Sequence, residues 1–229
     1  MQKSNDLFQW IINYLFPQPC FLCGDISAQA ICEDCLNDLP YLKTACVCCG
    51  MNLPISDICG NCASNPPIFN QAKALFPYSY PVNILIQVAK FQGNFAILKL
   101  LGDLMGQGFK NEKQPDVLIP IPLHFKRLHK RGYNQSLEIA KRIAFHTGTH
   151  INNEVCQRIK DTAQQALLST KERRRNLKNA FSITNLPKKW QHIVLIDDVM
   201  TTGSTANELS KVLFSAGAQR VDVWCCAHA

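Results

Sequence analysis

Past residue 70 the chain alternates short apolar runs with longer amphipathic ones. AKALFPYSY (72–80) alternates at period two and predicts a strand. PVNILIQVAKF (81–91) recurs at helical spacing behind Pro81, a residue suited to a first helical turn. NFAILKLLGDLMGQGF (94–109) continues helically, and PDVLIPIPL (115–123) is a short, β-branched strand of the fully buried kind. NQSLEIAKRIAFHTG (134–148) places Leu137, Ile139, Ala140, Ile143 and Ala144 on helical spacing, with Gly148 as its stop. HINNEVCQRI (150–159) predicts a strand, and STKERRRNLKNAF (169–181) a basic helix or loop capped by Ser169. HIVLIDDV (192–199), STANELSKVLFSAGA (204–218) and RVDVWCCAHA (220–229) close the chain as strand, helix and strand. Strands alternating with helices argue an α/β domain built on a parallel sheet covered on both faces.

In such sheets ligands gather outside the carboxyl ends of the strands. There HIVLIDDVMTTGST (192–205) places Asp197 and Asp198, two acids too costly to bury unpaired, so they call for polyol hydroxyls, Mg²⁺ or a basic partner. Thr201, Thr202, Gly203, Ser204 and Thr205 follow, where a helix begins. Unpaired N–H groups, a positive helix end, hydroxyl donors and a glycine that lets the backbone approach closely make a phosphate cradle. Acids for a sugar diol ahead of a phosphate cradle suit a ribose 5-phosphate. The triphosphate P-loop is excluded, since G-x-x-x-x-G-K-[ST] is absent.

The front of the chain has a different texture. Nine of the twelve cysteines lie between residues 20 and 62, and eight form C-x-x-C pairs: Cys20/Cys23, Cys32/Cys35, Cys46/Cys49 and Cys59/Cys62. Two such knuckles complete a tetrahedral thiolate shell for zinc. CFLCG…CEDC repeats as CVCCG…CGNC, so two consecutive four-thiolate structural sites are expected, with an interleaved pairing of knuckles left open and Cys48 as a spare. A disulfide framework needs an oxidising compartment, and no export signal is visible. Cys156, Cys225 and Cys226 stand in apolar company and read as buried strand thiols. Residues 1–66 form the N-terminal helix and cysteine-rich domain, and residues 67–229 the α/β domain.

A hydrophobic fraction of 47% supports a sizeable core, and no apolar run approaches the roughly 20 residues of a membrane span. The formal charge of +7 is uneven. Residues 1–66 carry two basic side chains against six acidic, residues 110–142 eight against three, and residues 156–192 nine against two. The two middle segments therefore call for an anionic partner: phosphate, pyrophosphate or nucleic acid.

Ile193–Thr205 resembles the 5-phosphoribosyl-1-pyrophosphate (PRPP) signature of type I phosphoribosyltransferases. With IPIPLHFKRLHKRGYNQS (119–136), RIKDTAQQALLSTKERRRNLKNAF (158–181) and the cysteine-rich front, the whole chain is similar to the ComF/GntX family. The resemblance implies a double zinc ribbon ahead of a phosphoribosyltransferase-like domain, a cytoplasmic location and a role in natural transformation. It implies that Asp197 and Asp198 meet the ribose hydroxyls directly or through Mg²⁺, and that Thr201–Thr205 hold the 5-phosphate. Arg127, Lys130 and Arg131, with Gly132 at the turn, become pyrophosphate candidates. Arg158, Thr162 and Gln165, ahead of Arg173–Arg175, fall on or near a covering loop, and Lys90 is a weaker candidate.

Three classes of function follow. A transferase would expel pyrophosphate from PRPP with Mg²⁺ and cations stabilising the leaving charge; no base-binding hood is recognisable, so its acceptor has no name. A recognition protein would bind single-stranded DNA through residues 126–142 and 158–178, with Phe125 and Tyr133 either stacking on bases or packed in the core. An adaptor would dock other DNA-uptake proteins through its zinc module.

Overall fold

The computed structural model describes residues 18–161 and 177–229. The expected N-terminal helix lies outside them, as do Ser169, Thr162, Gln165 and Arg173–Arg175. The cysteine-rich front is built from β1 (Gln18–Pro19), β2 (Ile26–Ser27), α1 (Glu33–Asn37) and α2 (Gly60–Ser64). The α/β portion follows as β3 (Gln71–Pro77), α3 (Val82–Phe91), α4 (Phe95–Phe109), β4 (Val117–Pro120), α5 (Phe125–Arg131) and α6 (Gln135–Thr147). It ends with β5 (Cys156–Arg158), β6 (Phe181–Ile183), β7 (His192–Met200), α7 (Ser204–Ser215) and β8 (Arg220–His228).

Strands β3, β8, β7 and β4, in that order, make the expected all-parallel sheet. Pleating sends alternate residues of β7 to two cores. Val194 and Ile196 join Leu85, Ile97, Leu101, Ile139 and Ile143 from α3, α4 and α6. Ile193 and Leu195 join Leu209 and Leu213 of α7. All eleven are essentially inaccessible, each worth about 1.5–3 kcal/mol of burial. Caps set the helix ends: the Asn94 side chain accepts from the Ile97 N–H, and Gly148 closes α6 in the left-handed region (φ 70°).

One strand is shorter than the sequence predicts. In HINNEVCQRI only Ile151 bridges Leu118, and β5 begins at Cys156, pairing antiparallel with β6. Between them the Asn152 carboxamide accepts from the N–H groups of Glu154 and Val155, at 3.0 and 2.8 Å, a local turn that competes with the ladder.

The cysteine-rich front is stitched to the free edge of β3. The Leu42 N–H donates to the Leu75 carbonyl and the Ala72 N–H to the Cys48 carbonyl, both at 2.8 Å. A Cβ on Gly50 would stand 2.9 Å from the Ala72 oxygen, so glycine is needed where the third knuckle meets the strand. An exposed strand edge is an aggregation hazard, and this contact covers it.

Candidate functional site

The thiolates form two separate clusters: Cys20, Cys23, Cys32 and Cys35, then Cys46, Cys49, Cys59 and Cys62. Within each, all four Sγ atoms lie within 4.8 Å of one another, so the geometry groups consecutive knuckles rather than interleaved ones. Zinc–sulfur bonds of about 2.3 Å in a tetrahedron put sulfurs about 3.8 Å apart. Cys23 and Cys32 stand at 3.6 Å, Cys49 and Cys59 at 3.8 Å. Backbone N–H groups of Cys32 and Cys59 point at the sulfurs of Cys20 and Cys46 from 3.3 Å. Burial works against the Cys20 and Cys46 thiolates, yet such N–H groups outweigh it and bring both pKa values down to about 6. The donor set therefore fits a structural zinc ion in each cluster. Cys48 stands outside both, and Cys156, Cys225 and Cys226 are buried in strands as expected.

At the other end of the sheet, β4 stops pairing at Pro120 opposite Ile196, so Asp197 and Asp198 emerge beside an open edge. Strand β7 does not end there; it runs on along β8 to Met200. Its pairing skips one position, since Asp197 faces Cys225 and Val199 faces Ala227. At that skip the Asp198 N–H donates to Asp197 Oδ1 (3.0 Å) and the Val199 N–H to Asp198 Oδ1 (2.8 Å).

The two acids part company. Asp198 is buried and bound to Lys90 of α3, whose Nζ lies 3.1 Å from Oδ1 and 2.8 Å from Oδ2. Burial works against the Lys90 ammonium, but Asp198 and then Asp197 overcome it and hold its pKa above the usual lysine value. Asp197 is half-buried as a residue, accepts a 3.2 Å bond from Ser136 Oγ, and shares one open hollow with Thr201, Gly203, Ser204 and Thr205. Dense surroundings and the adjacent charge of Asp198 push the Asp197 carboxyl up to about 7.

The bend joins β7 to α7. Gly203 occupies the N-cap in the left-handed region (φ 65°), and no side chain caps the helix from that position. A Cβ there would stand 3.3 Å from Phe69 Cε1. Thr202 Oγ1 and Ser204 Oγ are hydrogen-bonded at 2.7 Å, and Thr201 is an exposed residue of the bend.

The expected pyrophosphate loop contains helix α5. Arg131 sits at its end, before the left-handed Gly132 (φ 81°), and its Nη1 donates to Gln135 Oε1 at 2.7 Å. Lys130 is exposed on the same turn. Arg158 is buried against the Phe181 ring. Burial and then the charge of Arg127 bring its pKa down to about 10, while Asp197 and Asp161 pull the other way. Arg158 thus lies within reach of the charges of both Arg127 and Asp197. Tyr133 packs against Phe95 with its hydroxyl on the Ala89 carbonyl, whereas Phe125 is 67% exposed.

Ser136, Gln135 and Phe69 were not singled out from sequence. The first two open a helix next to a strand end, which was the available signal; Phe69 has none, because its role comes from a contact with Gly203 far along the chain.

A family model described as "Double zinc ribbon domain" matches residues 11–63. The chain is 35% identical over 216 residues to competence protein F of Haemophilus influenzae, covering 89% of this chain and 93% of that protein. It is 35% identical over 219 residues to DNA utilization protein YhgH of Escherichia coli O157:H7, covering 91% and 96%. A solved hypoxanthine phosphoribosyltransferase from Staphylococcus aureus is 13% identical, with a TM-score of 0.36 over 56% of this chain and 61% of that one. With relatives matched over nearly their full length, this chain belongs to the ComF/GntX family, with a double zinc ribbon ahead of its parallel-sheet α/β domain.

Proposed function

We propose that this protein acts in the uptake and use of DNA, as the names of its relatives indicate, through a pocket for PRPP or a related phosphoribosyl ligand. The observation that carries the reading is the hollow shared by Asp197 and the bend at the start of α7, where Gly203 at the N-cap has no side chain and Thr202 Oγ1 accepts, among backbone amides, only the Ser204 N–H, at 3.4 Å. A 5-phosphate there meets the positive helix end and the Thr201–Thr205 amides and hydroxyls. Asp197 is the acid placed for the ribose hydroxyls or for Mg²⁺. Asp198 acts through Lys90, holding that ammonium at the inner wall of the site.

Mg²⁺ would supply charge neutralisation for a departing pyrophosphate. Arg127, Arg158, Lys130 and Arg131 are the cations this chain offers to the same charge. Two structural zinc ions fold the cysteine-rich front whose described part hydrogen-bonds to the edge of β3, and the chain divides into this front, 1–66, and a phosphoribosyltransferase-like domain, 67–229. That stitching supports a scaffold role over a detached docking module. The absence of any helix long and apolar enough to cross a membrane, among the described residues, accords with a cytoplasmic location.

Calorimetric titration with PRPP and Mg²⁺ tests the pocket. Wild type should bind with one site, and Asp197→Asn should weaken binding at least tenfold. Equal binding by the two proteins would remove Asp197 from the site, and no binding by wild type would remove the site itself.

A further inference from the structure

Most of the carboxylate oxygens of Asp197 and Asp198 are already taken. Both oxygens of Asp198 are on Lys90, and its Oδ1 also accepts the Val199 N–H at 2.8 Å. Asp197 Oδ1 accepts twice, from Ser136 Oγ at 3.2 Å and from the Asp198 N–H at 3.0 Å. Ser136 is 5% exposed, and its own N–H is held by Asn134 Oδ1 at 3.1 Å, so this donor is fixed at the start of α6. Asp197 Oδ2 has no hydrogen-bond partner among the described residues. Asp197 lines the hollow at the bend and Asp198 does not. Apart from the bend, the lining side chains are the apolar Val199, Met200, Ala206 and Val223. One oxygen, Asp197 Oδ2, is therefore what the acid pair offers to a ligand.

We infer that the acids of this site hold a single sugar hydroxyl, the one on C3, and that the pocket takes 2-deoxyribose 5-phosphate as readily as ribose 5-phosphate. The inference rests on the phosphoribosyl reading for the place of the phosphate at the bend. A vicinal diol is held well by two acceptor oxygens side by side; two neighbouring hydroxyls on one oxygen are both poorly aligned. The carboxylate and the phosphate-holding bend share one hollow. Along the sugar, the ring hydroxyl nearest the 5-phosphate is the one on C3, so that hydroxyl is the one Oδ2 meets. The 2-hydroxyl then finds no carboxylate, and the apolar side chains offer it no acceptor. A site rejects an analogue lacking a hydroxyl when the loss strands a buried polar group of the protein, and here none is stranded. Ser136 sets this tolerance through Asp197, because occupying Oδ1 removes the second acceptor. The ligand class widens from ribose phosphates to the 5-phosphorylated deoxyribose of DNA.

The test is calorimetry of the full chain with ribose 5-phosphate, 2-deoxyribose 5-phosphate and 3-deoxyribose 5-phosphate, at pH 8, where Asp197 with its pKa of about 7 is ionised. A hydrogen bond to a charged acceptor is worth about tenfold or more in affinity. In wild type the 2-deoxy sugar should bind within about threefold of ribose 5-phosphate, and the 3-deoxy sugar at least about tenfold more weakly. Asp197→Ala should bring ribose 5-phosphate down to the level of the 3-deoxy sugar. Ser136→Ala releases Oδ1, so ribose 5-phosphate should then gain about threefold or more over the 2-deoxy sugar. A 2-deoxy sugar about tenfold weaker than ribose 5-phosphate in wild type would overturn the inference and leave the pocket standing. So would a 3-deoxy sugar that binds as well as ribose 5-phosphate, since no carboxylate would then hold that hydroxyl. A ratio unmoved by Ser136→Ala would overturn the part given to Ser136. Silence from all three sugars would refute the pocket itself, and the inference with it.

Discussion

Lys90→Met removes a charge while keeping most of the side chain's volume, and it isolates the one ion pair at the heart of the site. At 2.8 Å two unit charges attract by about 6 kcal/mol at an effective dielectric of 20 and about 1.5 kcal/mol in water. The side chains of Lys90 and Asp198 are 29% and 11% accessible, so the pair lies between these limits and has already lost part of its hydration. Removing one partner of a fully buried pair costs about 3–5 kcal/mol, mostly for stranding the other. Partial access lowers that to about 2–3 kcal/mol here. Asp197 adds to the cost, because the Lys90 charge also holds its carboxyl down. The assay is urea denaturation at pH 7.5 of wild type, Lys90→Met, Asp198→Asn and the double variant. Lys90→Met should cost about 2–3 kcal/mol alone and less than about 1 kcal/mol when Asp198 is already Asn, a coupling near 2 kcal/mol. Additive effects within about 0.5 kcal/mol would mean that the ammonium and carboxylate do not depend on each other, and the account of the inner wall would be wrong.

Asp197 predicts a pH dependence. Its folded pKa of about 7 exceeds the unfolded value, so the native chain keeps a proton that the unfolded chain loses between about pH 4 and 7. The stability this brings is full below about pH 4 and gone above pH 7; Asp197→Asn should flatten that fall in ligand-free protein, and an unchanged slope would assign it elsewhere. Gly203→Ala forces a side chain into the left-handed region and towards Phe69, so it should cost about 1–2 kcal/mol and lower the melting temperature by roughly 2–8 °C. A melt that matches wild type would show that the bend adopts another conformation. Chelation should release two equivalents of zinc and speed hydrogen exchange at the Ala72 amide, which is bonded to Cys48; exchange that ignores the chelator would detach the metal sites from the sheet.

The long elements were legible because hydrophobic period reports burial directly: α4 and α6 carry helical stripes, and β4 and β7 are apolar on both faces. The zinc clusters were legible because a C-x-x-C knuckle confines both sulfurs locally, and the repeat then suggested which knuckles combine. Contacts between distant segments left no such trace. Nothing in NNEV announces that the Asn152 carboxamide captures two amides and shortens a strand. Nothing in IFN (68–70) shows that the Ile68 N–H reaches Asn207 Oδ1 at 2.6 Å, or that Phe69 packs under Gly203. Those residues tie the exit of the second cysteine cluster to the start of α7, so the metal site and the bend are joined by five residues of chain beyond α2.

The pair of acids teaches a finer lesson. Asp197 and Asp198 are neighbours on a strand, where successive side chains leave from opposite faces. Period two was itself a sequence observation, and it already implied that one acid faces outward only if the other turns in. A carboxylate turned in needs a cation from the helix layer beneath. Lys90, four residues before the end of the α3–α4 turn, is such a donor. What the fold adds is the skipped pairing at Asp198, which frees two amides for the acids' own oxygens and lets Asp197 lean towards Ser136 and the hollow. The geometry sets the two acids apart: Asp198 fixes the lysine, the lysine tempers Asp197, and Asp197 lines the hollow at the bend.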